Sequence, residues 1–425
     1  MHPQNTLRAR YARFLENRTV IGLPAEELKS WKRRQRRRAN LMALLVMPVV
    51  LLLRLLRPVL WVRFGYLTMH KIGHCPLEAE FYLVERASGV QPRRAIDFFH
   101  FDRGTDGLVA NTFAKHMVER NLRVHPAVEW FRLANEKLPG GKKHRIVIDL
   151  VHTLPFADTL GLMAKYPVQI GLTEEEKRLG TDLLSEMGVP SGAEVVCFHI
   201  RDAGYWKTRK RDINNDSDFR NASQDGFYDA MKAVAERGHY VLRLGATTSE
   251  PLPDLHPRVI DYATRFRSEF MDVYLAATCK LMVSTASGID AVSYEFRRPL
   301  VFVNLVAYGT TLCNFPQPFI WIFKKFISRS GKVMTFDEIN ALRAHSFDIT
   351  DQFVQAGISV EENSPDEIKA AVLEMLDLLA GRRELTPDDE RRARLMRMHL
   401  QGAPRHAQNP PTVSRYYLEK YEHLL

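Results

Sequence analysis

Cysteine is scarce in this chain of 425 residues, and its few cysteines are far apart. They form no CxxC pair and stand at Cys75, Cys197, Cys279 and Cys313. A structural zinc site or a disulfide framework needs closely spaced or numerous cysteines, and both are therefore disfavoured. The cysteine content fits a protein of a reducing compartment.

Several short binding signatures are also absent. The sequence contains neither GxGxxG nor GxxxxGK[ST], which disfavours dinucleotide-binding and P-loop sites. No Asp-x-Asp pair stands just after a predicted strand, so a metal-dependent nucleotide-sugar site is not indicated. We therefore expect no bound metal and no resident cofactor.

An excess of positive charge is missing from most of the chain. Residues 1–63 hold 14 Lys and Arg against 3 Asp and Glu, whereas the remainder holds 46 against 47, within a net charge of +10. A nucleic-acid enzyme carries its basic surface on the folded domain. The distribution argues against a nucleic-acid partner.

The N-terminal segment has no apolar run of the roughly 20 residues that a helix needs to cross a bilayer. The basic stretch 29–38 precedes thirteen uncharged, mostly apolar residues at 41–53, where Pro48 disturbs the helix, and Arg54 and Arg57 then interrupt the apolar face. This pattern is typical of a helix on an anionic membrane surface, or re-entering it. A buried core helix and a signal-anchor span are the alternatives. A cleaved secretory signal is disfavoured because no small-residue cleavage site is visible.

The rest of the chain alternates short apolar strands with helical stretches. In the first half, about 60–170, the pattern predicts a helix near 109–120 and strands at 60–66, 95–101, 122–125 and 145–150. In the second half, 171–385, it predicts strands at 194–200, 239–244, 259–261, 281–283 and 300–303. Such alternation predicts parallel sheets with right-handed crossovers.

The predicted fold is therefore α/β with two Rossmann-like domains. A capping box at Thr173 and Glu176 lies in a polar connector and places the boundary between them near residue 170. The membrane-associating segment occupies 1–59, and a helical tail occupies 386–425. A last helix is predicted at 413–425, with the first domain as its expected packing partner.

Two further stretches are informative. Residues 201–216 follow a predicted strand and form a polar, aromatic loop long enough to fold over a ligand. The aromatic run 319–323, followed by two lysines, fits either a core strand or a second membrane-contacting patch.

The turn Ser284–Gly288 is the strongest candidate binding element. It lies between a predicted strand and a helix expected to begin near Ile289, and it offers hydroxyl and backbone N–H groups. The positive end of a helix dipole with free N–H groups favours an anion. An ordinary helix cap that binds nothing is the alternative.

Three predicted strands end in polar or glycine-containing turns. They are His199–Arg201, Arg243–Gly245 and Ser284–Gly288. Carboxyl ends of parallel strands lie along one edge of a sheet, where open α/β folds bind phosphorylated ligands. These turns together predict a nucleotide-diphosphate site with Arg201 as the charge partner, since its planar fork can hold two phosphate oxygens.

A candidate base lies in the first half. His74 stands in the loop after the first predicted strand, before a helix that carries Glu78 and Glu80. A histidine at a strand end can act as a general base. A helix-capping or packing histidine is the alternative.

These residues resemble a bacterial group of glycosyltransferases of GT-B architecture, over about residues 60–385. The similar stretches are RFGYLTMHKIGH, FHIRDAGYW, FRSEFMDVYLAATCKLMVSTASGIDAVSYE and VEENSPDEI. The resemblance implies two Rossmann-like domains that face a cleft holding the active site. It also implies a reaction without a bound metal.

The motif H-x-R at His199 and Arg201, with S-x-x-S at Ser284 and Ser287, further resembles α1,6-fucosyltransferase-like enzymes. Carried over, the resemblance assigns Arg201 to the diphosphate of the donor. It assigns Ser284, Ser287 and Gly288 to phosphate and ribose contacts.

The same resemblance assigns Glu295 to the carboxylate of the helix behind the turn. Those enzymes commonly have a second basic residue after the arginine, whereas this chain has Asp202. This departure counts against fucose as the sugar and leaves the predicted location of the donor site unchanged.

The implied function is transfer of a sugar from a nucleotide-diphosphate sugar to an acceptor hydroxyl. His74 or Asp202 is the expected base, and the diphosphate departs toward Arg201 and the 284–288 turn. The expected acceptor is a cell-envelope or lipid-linked glycan, and the expected location is the inner face of the cytoplasmic membrane, as a peripheral or monotopic protein. A nucleotide-sugar epimerase of the same fold and a non-catalytic membrane-bound scaffold are the alternatives.

Overall fold

A computed structural model describes residues 25–102, 104, 109–149, 158, 160–202, 204, 218–308, 316–400 and 412–425. The described residues divide by their contacts into two units. The first lies within Met1–Ala79 and Gly89–Val147, and the second within Glu80–Ser88 and Ile148–Leu425. The second unit thus begins before the boundary predicted near residue 170, and it includes the described part of the predicted tail.

The first unit begins with a long helix, α1, over Ala25–Leu55, which continues through Pro48. Its sheet pairs β1, Val62–Thr68, with β2, Ile96–Asp102, in parallel. Helix α2, Cys75–Ser88, stands between these strands in the chain, and its residues 80–88 belong to the second unit. Two further helices complete the described part of the first unit, α3 at Thr112–Asn121 and α4 at Val128–Lys137.

Two of the strands predicted for this unit do not form in its described part. Only single parallel bridges occur there, from Val124 to Phe99 and from Arg145 to Phe64. Pro126 has no N–H and does not extend the first of these ladders. The prediction of strands at 122–125 and 145–150 was therefore wrong for the residues described.

The second unit is organised around a seven-stranded sheet whose neighbouring strands all run parallel, in the order β11-β8-β7-β6-β3-β4-β5. The central strands are buried on both faces, as in a sheet covered by helices. This confirms the predicted α/β class. The strands are β3 Val195–His199, β4 Tyr240–Leu244, β5 Val259–Ile260, β6 Leu281–Ser284, β7 Leu300–Leu305, β8 Phe319–Phe323 and β11 Thr412–Val413. An antiparallel pair, β9 Lys325–Ile327 and β10 Ser359–Glu361, lies outside this sheet.

Helices of the second unit begin where their caps predict. The capping box of Thr173 and Glu176 forms with both of its hydrogen bonds, and Ser268 and Ser364 cap two further helices. The helices are α5 Leu162–Lys165, α6 Glu174–Glu186, α7 Tyr228–Glu236, α8 Tyr262–Arg265, α9 Glu269–Thr278, α10 Asp290–Glu295, α11 Phe336–Ala341, α12 Thr350–Ala356, α13 Pro365–Leu379, α14 Pro387–His399 and α15 Arg415–Lys420.

The structure decides two questions that the sequence left open. Strand β8 is fully buried between β7 and β11, so the aromatic run belongs to the core and is not a membrane patch. The C-terminal segment packs within the second unit, where the hydroxyl of Tyr421 donates to Glu367 at 2.6 Å and that of Ser414 to Glu374 at 2.8 Å. Its expected packing on the first domain stays a prediction.

Candidate functional site

The three predicted strand ends meet at one edge of the large sheet. Strand β3 lies between β6 and β4, and His199 at its end is in register with Ser284 on one side and Leu244 on the other. The polar turns after these strands therefore follow one another along the carboxyl edge, as predicted.

Thr285 joins two of the turns. Its hydroxyl oxygen accepts the backbone N–H of Arg201 at 2.9 Å, and its own N–H donates to the carbonyl of His199 at 3.3 Å. The side chain is buried, so these bonds are shielded from water. Thr285 thereby fixes the start of the Arg201 loop beside the 284–288 turn, a role that the sequence did not indicate.

Two arginines converge on this turn. Arg201 is half-buried, and its Nε donates to the side-chain oxygen of Asn221 at 3.2 Å. Arg220, in a single 3₁₀ turn at Asp218–Arg220, donates to the carbonyl of Ala286 within the 284–288 turn. Burial, and then repulsion by Arg220, lower the pKa of Arg201 to about 10, while the carboxylate of Asp218 opposes them. The edge thus holds two partly desolvated cations close enough to oppose each other.

A third cation, Lys324, contacts the residue that holds Arg201. Lys324 is buried, and its Nζ donates to the backbone carbonyl of Asn221 at 2.6 Å. Burial lowers the pKa of this lysine, and Glu362, 3.8 Å away, partly offsets that effect. Lys324 therefore positions Asn221, which in turn holds Arg201.

The turn is shaped by Asp290, which sequence reasoning overlooked. Its carboxylate accepts the hydroxyl of Ser284 at 2.7 Å and also the backbone N–H of Ser287. Burial raises the pKa of Asp290 to about 6. Ala286 holds a left-handed φ of 56°, a conformation that these bonds help to stabilise.

This geometry changes the predicted roles of the turn residues. Ser284 is fully buried beneath the turn and bonded to Asp290, so it supports the turn from within. Ser287 and Gly288 stay half-exposed and remain the predicted donor contacts. The following helix has only six residues, and the carboxylate of Asp290 already occupies its first turn. Asp290 therefore competes for the N–H groups that were expected to bind an anion, and the anion site stays a prediction.

Glu295 lies deep behind the turn. It is fully buried, and neither of its carboxylate oxygens has a hydrogen-bond partner among the described residues. Burial, then the nearby Glu80, hold the pKa of Glu295 well above its ordinary range, while Arg297 opposes them. Arg297 instead pairs with Glu80 at 2.8 Å. Glu295 is thus an internal carboxyl group that has no surface to offer a ligand.

Two predicted donor contacts are engaged by the protein itself. Arg243 is buried, and its Nε and Nη2 each lie 2.9 Å from a carboxylate oxygen of Asp261. A side chain at Gly245 would place its Cβ 2.7 Å from Cγ2 of Thr248, so this glycine serves the packing of its own loop. Both residues lie at the predicted edge and stabilise it.

The loop after β3 begins with two residues of different character. Burial lowers the pKa of His199 to about 4, which keeps its ring neutral near pH 7. Asp202 accepts the backbone N–H of Gly204 at 2.8 Å with one oxygen and that of Ser249 at 2.7 Å with the other. Asp202 therefore ties the loop after β3 to the loop after β4, and this weakens its case as a catalytic base.

His74 lies in the first unit, directly before α2. Its Nδ1 is 2.9 Å from a carboxylate oxygen of Glu78, whose second oxygen accepts the backbone N–H of Thr68 at 2.7 Å. A carboxylate that orients an imidazole is the arrangement of a general base and its supporting acid. The four-residue spacing between His74, just before the predicted helix, and Glu78, in its first turn, was a signal that sequence reasoning did not use.

The remaining predicted elements are only partly described. Residues 203 and 205–217 of the loop after β3 lie outside the described residues, as do Cys313 and most of the region around it. In the described ranges, no group of three or more His, Cys, Asp or Glu is arranged to hold a metal ion. The expectation of a metal-independent reaction stays a prediction.

No protein-family model matches the chain, and no curated protein matches it. Among solved structures, it is similar to a glycosyl transferase family 9 protein from Veillonella parvula, with 12% identity and a TM-score of 0.36 over 70% of this chain and 96% of that one. It is also similar to the E. coli ADP-heptose heptosyltransferase II, with 13% identity and a TM-score of 0.33 over 57% and 84%. A second E. coli heptosyltransferase, solved with ADP, has 13% identity and a TM-score of 0.29 over 57% and 87%. None of these three is a fucosyltransferase, and their low TM-scores leave the fold to be judged from this chain's own strand pairing.

Proposed function

We propose that this protein is a glycosyltransferase that moves a sugar from a nucleotide-diphosphate sugar to a glycan acceptor. The observation that carries the proposal is the pair Arg201 and Arg220 beside the 284–288 turn. Two cations held together away from water repel each other, and a bound polyanion relieves that cost. A diphosphate matches two guanidinium forks at the carboxyl edge of a parallel sheet.

The same pair suits the chemistry of the transfer. As the acceptor oxygen bonds to the anomeric carbon, the bond from that carbon to the diphosphate oxygen breaks and negative charge develops on the leaving group. Arg201 and Arg220 stabilise that charge without a metal ion. The proton of the acceptor hydroxyl passes to His74, which Glu78 orients. We favour His74 over Asp202 because both oxygens of Asp202 already accept backbone N–H groups.

The proposal assigns the donor to the second unit and the acceptor to the first. It takes a cell-envelope or lipid-linked glycan as the acceptor, at the inner face of the cytoplasmic membrane. The support for this acceptor is the apolar helix α1, which is long and apolar enough to associate with a membrane.

A screen of nucleotide sugars tests the proposal. Wild-type protein is expected to gain thermal stability with at least one UDP-, GDP- or ADP-sugar, and a response to CMP-sugars alone would contradict a diphosphate donor. Arg201→Ala and Arg220→Ala are expected to lose that gain while unfolding cooperatively. Arg178→Ala removes an exposed arginine from α6 and is the matched control, expected to respond as the wild type does. Full stabilisation of both site variants would refute the assignment.

Incubation of the active donor without any acceptor separates the two enzyme classes. A transferase leaves the donor unchanged or hydrolyses it slowly, whereas an epimerase of the same fold converts it to its epimer. Appearance of an epimer in the absence of acceptor would replace the transferase proposal. A lack of response to every donor would favour the non-catalytic scaffold.

A further inference from the structure

Helix α1 presents an apolar face to solvent. Seven of its residues between 41 and 55 are large, apolar and 45–78% exposed, namely Leu41, Leu44, Leu45, Val49, Leu51, Leu52 and Leu55. Spacings of three, four and seven residues place most of them on one side of the helix. Continuous exposed apolar surface of this kind marks a site of interaction. We call these seven residues the leucine face.

The opposite side of α1 packs onto α4. Ala43 and Val50 are buried in a cluster with Ala134, and Val46 and Phe131 pack against it. The helix therefore uses its smaller side chains to contact the protein and turns its larger ones outward. This is the reverse of an ordinary surface helix, so the leucine face is not the product of incomplete packing.

Arg54 fastens the end of α1 to the end of α4. Its Nη2 lies 2.7 Å from the side-chain oxygen and 2.6 Å from the backbone oxygen of Asn135, and its Nη1 donates to the carbonyl of Pro139 at 2.7 Å. A cation at the C-terminal end of a helix satisfies its last carbonyls and its dipole. Arg54 was expected to interrupt the apolar face, and it instead joins two helices.

A cluster of arginines precedes the leucine face on the same helix. All five are exposed, and they are Arg33, Arg34, Arg36, Arg37 and Arg38. Helical geometry places Arg34, Arg37 and Arg38 on the same side as the leucine face. Basic residues beside an apolar face complement the anionic headgroups and acyl chains of a bilayer.

The attachment to α4 decides how such a helix meets a membrane. By length and composition the helix could cross a membrane, because an 18-residue window within 33–55 has a mean hydropathy of 1.8. Spanning would carry α4 into the hydrocarbon, together with its ion pair between Arg132 and Glu136 at 2.8 Å, or would break the contacts of Arg54. Both outcomes are costly, because charges and unsatisfied backbone groups are strongly disfavoured there.

We propose that α1 lies in the plane of an anionic bilayer surface, with the leucine face inserted and α4 on the aqueous side. The helix then holds the first unit at the membrane as a monotopic anchor. This inference refines the membrane location within the proposed function, but it stands on contacts of the first unit alone. It does not depend on the donor site.

Depth measurements along the helix test the orientation. Nitroxide labels are placed singly at Leu41→Cys, Leu45→Cys, Leu52→Cys and Leu55→Cys in the full chain bound to phosphatidylglycerol-containing vesicles. An in-plane helix gives the same shallow depth at all four positions. A spanning helix changes depth by about 21 Å between residues 41 and 55, at 1.5 Å per residue. Such a gradient, or labels that stay in water, would overturn the proposal.

Vesicle sedimentation tests the surface itself. The variant Leu44→Gln/Leu52→Gln is expected to bind anionic vesicles roughly 10–100-fold more weakly, since two inserted leucines are lost. Leu342→Gln/Val354→Gln alters two exposed apolar residues of the second unit and is the matched control, expected to bind like wild type. Neutral vesicles should bind more weakly than anionic ones.

Two further outcomes separate this proposal from its rivals. If the leucine face is a dimer interface, light scattering shows a dimer for wild type and a monomer for Leu44→Gln/Leu52→Gln, and wild type does not bind vesicles. That result would overturn the proposal. The leucine variant should keep its response to nucleotide sugars, whereas Arg201→Ala should keep its affinity for vesicles. Failure of donor binding and failure of membrane binding are therefore distinguishable.

Discussion

Two neighbouring strands of the large sheet each place an arginine near their carboxyl ends, and the two arginines have different surroundings. Arg243 on β4 is buried and forms two short contacts with Asp261. Arg201 after β3 is half-buried near a second cation, Arg220, which contributes to lowering its pKa, and near Asp218, which opposes that effect. The first position is a completed structural ion pair, and the second is the proposed anion site.

The comparison shows why position at a strand end is insufficient evidence for a ligand contact. Both arginines satisfy the pattern of a basic residue near the end of a parallel strand. What separates them is the set of charges nearby, which comes from other parts of the chain. Whether an arginine at this edge can bind an anion therefore depends on its electrostatic neighbours.

The largest expected effect is on stability, from Arg243→Ala. Removing one partner of a buried pair leaves Asp261 without its counter-charge, which costs about 3–5 kcal/mol of unfolding free energy. Arg237→Ala is the matched control, because its pair with Asp377 is partly exposed and is worth less than about 1 kcal/mol. Chemical denaturation measures both. Equal, small losses would remove the distinction between the two strand ends.

The next effect is on donor affinity, from Arg201. Arg201→Ala is expected to weaken binding of the donor by about 2–3 kcal/mol, or roughly 30–150-fold, since a charge-assisted contact to the diphosphate is lost. Arg201→Lys keeps the positive charge but loses the planar guanidinium, so its donor affinity should lie between those of wild type and Arg201→Ala. Calorimetry gives the affinities. If Arg201→Ala binds the donor as tightly as wild type, then Arg201, like Arg243, does not contact the donor.

A pH experiment examines the carboxylate that shapes the turn. The folded-state pKa of Asp290, about 6, lies above its ordinary value of 3.8, so the native protein binds more protons than the unfolded chain between these values. The stability contributed by its protonated form is present below pH 4 and lost as pH rises through 6. The unfolding free energy of Asp290→Asn, relative to that of wild type, should therefore rise by about 2 kcal/mol between pH 4 and pH 7. Its melting temperature should rise relative to that of wild type over the same range. A difference that is constant with pH would show that the group is not perturbed.

The smallest effect concerns the glycine beside Arg243. Gly245→Ala places a methyl group 2.7 Å from Cγ2 of Thr248, and we expect a loss of about 1 kcal/mol in unfolding free energy. Thr248→Ser removes that methyl group and should restore most of the stability in the double variant. Donor affinity should be unchanged in both. A loss of donor affinity without loss of stability would return Gly245 to the binding site.

Much of the fold was predictable from the sequence because its signals are local. The capping boxes at Thr173 and Ser364 and the apolar runs of β3 and β6 involve residues within a few positions of one another. The parallel order of these strands followed from their alternation with helices. The bridge at Val124 failed as a strand because pairing depends on the rest of the sheet.

The site was predictable only in part, for a physical reason. Arg201 was identified because it directly follows a buried strand. Arg220 was missed because it reaches the 284–288 turn from 66 positions away in the chain, which no local pattern encodes. Asp290 lies only three positions after Ser287, and this local signal was overlooked. Arg243 was predicted to contact the donor because its ion-pair partner, Asp261, lies eighteen positions away and is not visible in the local sequence pattern.

The central claim is that Arg201 and Arg220 together hold a diphosphate. The most direct measurement compares the affinities of nucleoside diphosphates with those of their nucleosides, for wild type and for Arg201→Ala/Arg220→Ala. We predict that at least one diphosphate binds wild type at least roughly tenfold more tightly than its nucleoside, and that the double variant loses this difference. Equal affinity of wild type for nucleoside and diphosphate, or an undiminished preference in the double variant, would contradict the claim.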